Sequence, residues 1–185
     1  VARSRSAAPV AHDEPKGPLD ELRDYAASEG IALPESWTPK SEIDEELVSR
    51  LTKQAETINA SGVSAAVLVA ELVGIGAIQP MLGDEAVTAI YVDGPNQITV
   101  ESGETTQRID DGFSSAAAVT IVAQRLIRGA GGVWNEGGTC LAQGNGLSIS
   151  FVLHGSTPHL SVERTSEDVT PIETLISDNV LTDPM

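Results

Sequence analysis

The stretch that decides the fold is Val87–Glu101, VTAIYVDGPNQITVE. Its first six residues are rich in β-branched side chains, as strands are, and its last five repeat that pattern. Asp93–Asn96 between them has the glycine and proline chemistry of a turn. Ser102–Glu104 then turns the chain into a third strand over 105–109. The stretch therefore predicts a three-strand antiparallel meander.

The sequence after the meander predicts a helix and more strands. Ser114 can cap a helix that runs from 115 to about Arg128, with its apolar residues on one side. Gly144–Gly146 is typical of a hairpin turn, and apolar and small polar residues alternate over Leu147–Leu153 as in a half-buried strand. Leu160 and Val162 continue that alternation. Together these patterns predict an α+β fold, with a small antiparallel or mixed sheet and a helix packed across it.

The N-terminal part reads as a helical appendage over residues 18–73, preceded by a disordered tail over 1–17. A short helix opens at Pro18, a second follows Ser41 as its N-cap, and Val63–Val73 forms a third. This third helix is apolar on more than one face, so we expect it to be buried. At the other end, Thr170–Glu173 is a capping box that opens a helix within 168–185.

Charge and cysteine content exclude several functions. The 185 residues include 11 Lys and Arg against 27 Asp and Glu, a formal net charge of −16. Nucleic acid and anionic membrane surfaces attract clustered bases, so neither is an expected partner, and no direct membrane insertion is expected. The one cysteine, Cys140, rules out an internal disulfide and is expected to pack as a small hydrophobe.

No catalytic motif is found in the sequence. The glycine-rich runs at 129–132 and 137–139 lack the Lys–Ser/Thr pair of a phosphate-binding loop, and no lysine follows Lys53. His154 and His159 lack well-spaced carboxylates, so no metal site is predicted. We therefore expect no catalytic residue, no metal and no cofactor in this chain.

The acidic N-terminal region offers candidate partner-binding residues. Residues 13–56 hold twelve acids and five bases, which indicates either a solvated outer face of the helices or a docking surface for a basic partner. Trp37 lies in a linker between prolines, where an exposed tryptophan can anchor an interface. The candidate interface residues are Trp37, Glu42, Asp44, Glu45 and Glu46.

Residues 74–101 resemble the start of the N-terminal domain of type II and type IV secretion ATPases, particularly those of the tight-adherence pilus branch. The residues in register with that family are Gly76, Ile78, Pro80, Leu82, Asp84, Val87, Thr88, Ile90, Val92, Gly94, Pro95, Val100 and Glu101. Weaker resemblance extends over about residues 40–185, including Arg125–Ile127. It implies a sheet domain over 74–167 and, over 168–185, a linker toward a motor domain.

In complete family members this domain caps a RecA-like motor that works as a hexamer and hydrolyses ATP. The sequence lacks the motor's phosphate-binding loop, so ATP and magnesium are expected only if a motor domain follows. The family's N-terminal domain also turns arginines toward the nucleotide, but no Lys or Arg occurs here between Arg128 and Arg164. The remaining candidates for nucleotide contact are Arg164, Arg125 and Arg128.

Three hypotheses follow. The first is a non-catalytic module that docks onto, or regulates, a pilus-assembly or secretion machine in the cytoplasm, with the motor or an inner-membrane platform protein as partner. The second is the N-terminal part of an active ATPase, which would assemble as a homo-hexamer. The third is an unrelated small protein-binding module, because a fold alone does not define a function.

Overall fold

A six-stranded antiparallel sheet forms the centre of the computed structural model, which describes residues 16–40, 44–58, 63–109, 112–135 and 138–165. The strands are β1 (Ala89–Asp93), β2 (Ile98–Ser102), β3 (Thr105–Ile109), β4 (Thr139–Gly144), β5 (Leu147–His154) and β6 (Thr157–Arg164). Their order is β3-β2-β1-β6-β5-β4, and every neighbouring pair is antiparallel. The predicted α+β fold and the three-strand meander are confirmed.

The pairing of β1 with β6 joins two separate meanders into one sheet. Ile90 lies opposite Val162, and Val92 lies opposite Leu160. These four side chains point to the buried face. The second meander turns at Asn145 and Gly146, whose φ angles of 54° and 72° match the tight hairpin turn that the sequence predicts.

The described ranges contain five helices. They are α1 (Pro18–Ser28), α2 (Glu45–Ile58), α3 (Ala65–Val73), α4 (Gln79–Gly83) and α5 (Ala116–Gly129), with a single 3₁₀ turn at Gly76–Ile78 before α4. Helix α5 packs on β4, β5 and β6, and α3 packs on α1, α2 and α5. The sequence did not predict α4 or the turn before it.

Two predicted N-caps are displaced. The Oδ1 atom of Asp44 accepts the backbone N–H groups of Glu46 (2.9 Å) and Leu47 (3.3 Å), so α2 begins at Glu45 and the prediction of Ser41 as N-cap is wrong. Ser41 itself lies outside the described residues. Ser115 caps α5 in place of Ser114, because its hydroxyl accepts the N–H of Ala118 at 3.1 Å.

One hydrophobic core runs through the helices and the sheet, from Leu19 of α1 to Val162 of β6. Helix α3, predicted to be buried, contributes Leu68, Val69, Leu72 and Val73 to it. Burial of these side chains is the main force that holds the N-terminal helices on the sheet domain. Cys140 belongs to the same core, as predicted. Residues 1–15 of the predicted tail over 1–17, and the whole predicted linker over 168–185, lie outside the described residues.

Trp37 lies in the core and not on an exposed linker, which corrects the sequence expectation. Trp37 is 9% exposed, and its backbone N–H donates to the carbonyl of Arg125 at 3.0 Å. A Cβ atom at Gly129 would lie 1.7 Å from the Trp37 carbonyl oxygen, so only glycine permits this backbone contact. The other tryptophan, Trp134, is half-buried with its ring centroid 5.0 Å from that of Phe151.

Candidate functional site

Arg125 is a buried structural residue of α5. Its guanidinium donates through Nη1 to the carbonyls of Glu71 (3.0 Å) and Gly74, through Nη2 to Leu72 (2.7 Å), and through Nε to Pro34 (3.0 Å). The α3 carbonyls are among those that a helix end leaves without an internal partner, and a cation is favourable there. Burial lowers the pKa of Arg125 to about 10, which leaves it charged at neutral pH.

Glu71 of α3 makes the matching contact at the beginning of α5. Its fully buried carboxylate accepts the N–H of Ser114 at 2.6 Å and also the Ser114 hydroxyl. Negative charge is favourable beside a helix N-terminus, but burial opposes it and raises the pKa of Glu71. Helices α3 and α5 are thus held together by one acidic and one basic side chain, each directed at the backbone near the end of the other helix.

Arg164 of β6 donates hydrogen bonds to the segment that precedes β1. Its Nε donates to the carbonyl of Val87 (2.8 Å), and its Nη2 donates to Leu82 (2.6 Å) and Asp84 (3.1 Å). Two of the three arginines proposed for nucleotide contact therefore donate to backbone carbonyls of their own chain.

Arg128 is the third candidate and is more accessible. Its Nη1 lies 4.0 Å from a carboxylate oxygen of the exposed Glu35. Together with Arg23 and Arg125 it lines a cleft of about 340 Å³ between α1 and α5. Arg23 pairs with Asp20 at 2.9 Å, so this cleft holds few basic groups that are not already paired. The structure does not bring Arg164 to this cleft.

A second, apolar groove of about 480 Å³ opens between α2, α3 and α4. The residues that line it are Val48, Thr52, Ala66, Val69, Ala70, Val73, Gly76, Gln79 and Pro80. Gly76 among them cannot be another residue without strain, because its φ is +59° and a Cβ atom there would lie 2.8 Å from the ring of Phe113. A groove of this size and lining fits apolar side chains of another helix.

The side of α2 that lines this groove also carries two acidic side chains, Glu45 and Glu56, which are called its rim. On α2, Glu45, Val48, Thr52 and Glu56 follow one another at spacings of three and four residues and so share one side of the helix. Val48 and Thr52 line the groove, and the exposed Glu45 and Glu56 stand one turn beyond them at either end.

The other acidic interface candidates line a different pocket, together with Glu29 and Arg50, or lie outside the described residues. Asp44 and Glu46 are exposed at the beginning of α2, where Asp44 caps the helix. Glu42 lies outside the described residues. The sequence missed the apolar half of this surface, because α4 was not predicted, and Gly76, Gln79 and Pro80 of the 3₁₀ turn and α4 form part of the groove wall.

Within the described ranges, no three His, Cys, Asp or Glu side chains come together as metal ligands would. His159 pairs with Asp93 at 3.0 Å across β6 and β1. Among the same residues, no single helix has the length and apolar character needed to cross a membrane, and the pair Ala65–Val73 and Gly76–Gly83 meets that test only jointly, with an 85° bend.

Comparison with solved structures gives a weak structural likeness. No protein family and no curated protein matches the sequence. Among solved structures, the chain is similar to the VirB11 ATPase of the Brucella suis type IV secretion system, crystallised with sulphate, at 12% identity and a TM-score of 0.42. The match covers 58% of this chain but 35% of the VirB11 chain, so this chain spans about a third of that ATPase.

Proposed function

We propose that this chain is a non-catalytic docking module, and that its apolar groove receives a partner helix with an apolar face and basic residues at both ends. The observation that carries the proposal is the groove of α2, α3 and α4 with Glu45 and Glu56 at its rim. Apolar lining supplies affinity, and acidic rim residues select a basic partner and speed its approach.

The hydrogen bonds that the arginines make support a docking role and not nucleotide binding. A nucleotide phosphate needs guanidinium groups that are free to donate to it. Arg125 and Arg164 instead donate to seven backbone carbonyls of this chain. Moving either to a phosphate would leave carbonyls without partners, which costs about 1–3 kcal/mol for each buried group.

The resemblance of residues 74–101 to secretion ATPases supports a particular class of partner. Gly76, Gln79 and Pro80 lie within that stretch and line the groove. We therefore propose that the partner belongs to a pilus-assembly or secretion machine in the cytoplasm. It would be either the motor or an inner-membrane platform protein, and the chain would dock onto it or regulate it.

The test is a fluorescence-anisotropy titration of the full chain with two labelled model helices of about 18 residues, roughly five turns. Both carry leucines on one face; one has lysines at its ends and the other has glutamates. We expect the lysine-ended helix to bind and the glutamate-ended helix to bind at least about tenfold more weakly, a difference of about 1.4 kcal/mol. Equal binding of the two helices, or no binding, contradicts the proposal.

A pair of variants assigns the binding to the groove. Ala66 is exposed and lines the groove, so Ala66→Arg should weaken binding of the lysine-ended helix about tenfold or more by blocking and repelling it. Thr57→Arg makes the same charge change at an exposed position on the other side of α2 and should have little effect. If Thr57→Arg weakens binding as much as Ala66→Arg, the groove is not the site.

A further inference from the structure

The outer edge of the sheet at β4 is open in the part of the chain that the structure describes. β4 stands last in the strand order and pairs there with β5 alone. The preceding segment packs against Ala142 and Gly144 of β4, but the N–H groups of Ala130, Gly131 and Gly132 donate to carbonyls of α5 and not to β4. A row of backbone N–H and C=O groups on β4 is therefore available to another strand.

The two edges of the sheet differ in how they are protected. Proteins commonly guard an edge strand with charged residues or proline. The edge strand β3 carries the exposed Arg108 and follows Glu104, whereas β4 reads TCLAQG and has neither charge nor proline. Leu141 in the middle of β4 is 72% exposed, and Val133 in the preceding segment is 85% exposed. The β4 edge is therefore both unguarded and apolar.

We propose that β4 pairs antiparallel with β4 of a second copy of this chain, so that two six-stranded sheets join about a twofold axis. An antiparallel strand pair formed by identical strands has twofold symmetry and closes after two copies. The two Leu141 side chains would lie on the same outer face of the joined sheet and cover one another near the axis.

The distribution of charge favours a second copy as the occupant. Two chains that each carry a formal charge of −16 repel one another over most of their surfaces. Between Arg128 and Glu163, however, the sequence contains one charged residue, Glu136, apart from histidines. The β4 edge is thus where two copies approach with the least repulsion, whereas a basic partner is drawn to the acidic helices.

The contact area of such a pair is small, so the dimer should be weak and reversible. The remaining repulsion between the two chains is screened by salt, so raising the ionic strength should strengthen the dimer. This behaviour separates edge pairing from association through opposite charges, which salt weakens.

Sedimentation velocity of the full chain, from micromolar to millimolar concentration, tests the proposal. We expect a reversible monomer–dimer equilibrium that shifts toward the dimer at high salt. Leu141→Lys should raise the dissociation constant at least about tenfold and leave the circular dichroism spectrum unchanged, because this side chain is mostly exposed. Thr106→Lys on the exposed β3 edge is the matched control and should leave the dissociation constant unchanged.

Hydrogen exchange locates the contact. Amides of 139–144 should exchange more slowly as wild-type concentration rises, and this concentration dependence should disappear in Leu141→Lys. A chain that stays monomeric throughout overturns the proposal, even if β4 becomes protected on addition of a different protein. So does a dimer that Leu141→Lys leaves intact, or one that Thr106→Lys weakens equally.

Discussion

Arg125 gives the strongest prediction about stability. We expect Arg125→Met, which keeps most of the length and apolar contact of the side chain, to lower the free energy of unfolding by about 4 kcal/mol. The arginine donates four hydrogen bonds to the carbonyls of Pro34, Glu71, Leu72 and Gly74, and its side chain is buried. Hydrogen bonds to a charged group contribute about 1.5–3 kcal/mol each.

Two effects keep the expected loss below the sum of four such bonds. Hydrogen bonds that share one group are not additive. Burial also lowers the pKa of Arg125 to about 10, so burying its charge has a cost that the uncharged methionine removes. A loss of about 4 kcal/mol would still be a large share of the ~5–15 kcal/mol that stabilises a typical domain.

The assay is urea unfolding followed by far-ultraviolet circular dichroism. Arg125→Lys should fall between the wild type and Arg125→Met, because an ammonium keeps the charge but cannot reproduce the planar fork of donors. Arg128→Met, one turn away and largely exposed, is the control and should change stability by less than about 0.5 kcal/mol. A loss of less than about 1 kcal/mol for Arg125→Met would refute the assignment of Arg125 as the residue that holds α3 and the 34–37 segment on α5.

Three further predictions concern the buried carboxylate, a close backbone contact and nucleotide binding. Burial raises the pKa of Glu71 in the folded chain above its value in the unfolded chain. The protonated carboxyl therefore stabilises the fold below the unfolded-state pKa, and this stability is lost as the pH rises through the folded-state pKa. Glu71→Gln, which can keep both contacts with Ser114, should therefore gain stability relative to the wild type between pH 4 and pH 7 in urea titrations; a constant difference would contradict this. Gly129→Ala should lower the free energy of unfolding by about 3 kcal/mol or more, since the new Cβ atom would overlap the carbonyl of Trp37, and an unchanged midpoint would count against that contact. Isothermal titration of the chain with ATP and magnesium at physiological salt should give no micromolar binding, and clear binding would mean that Arg128 and its neighbours form a nucleotide site.

Local patterns predicted most of the elements. The hairpin signal at Gly144–Gly146, the alternation that begins at Leu147 and the one-sided apolar stripe of α5 each depend on neighbours in sequence, and the three elements were confirmed. The alternation holds to Phe151, whereas Leu153 is 40% exposed. The order of the strands was not predicted, because the pairing of β1 with β6 joins residues about seventy positions apart. The caps of α2 and α5 were misplaced where several capping residues compete within a few positions.

The candidate site was predicted only in part. The acids at the beginning of α2 were identified from composition, but the apolar groove depends on α4. No helix was predicted there, because Gly74, Gly76 and Pro80 are residues that usually interrupt a helix. The burial of Trp37 depends on a contact with Gly129 that no local pattern reveals. Arg125 is likewise an ordinary helix residue in the sequence. Its role depends on the hydrogen bonds that it donates to the carbonyls of Glu71 and Leu72 at the end of α3.

A charge-exchange titration tests the docking proposal most directly. Glu45 and Glu56 are exposed, so Glu45→Lys/Glu56→Lys should fold as the wild type does while reversing the charge of the groove rim. We expect this variant to lose affinity for the lysine-ended model helix and to gain affinity for the glutamate-ended one, each by about tenfold or more. If the preference between the two helices is the same for the wild type and the variant, the groove and its acidic rim are not a docking site for a basic helix.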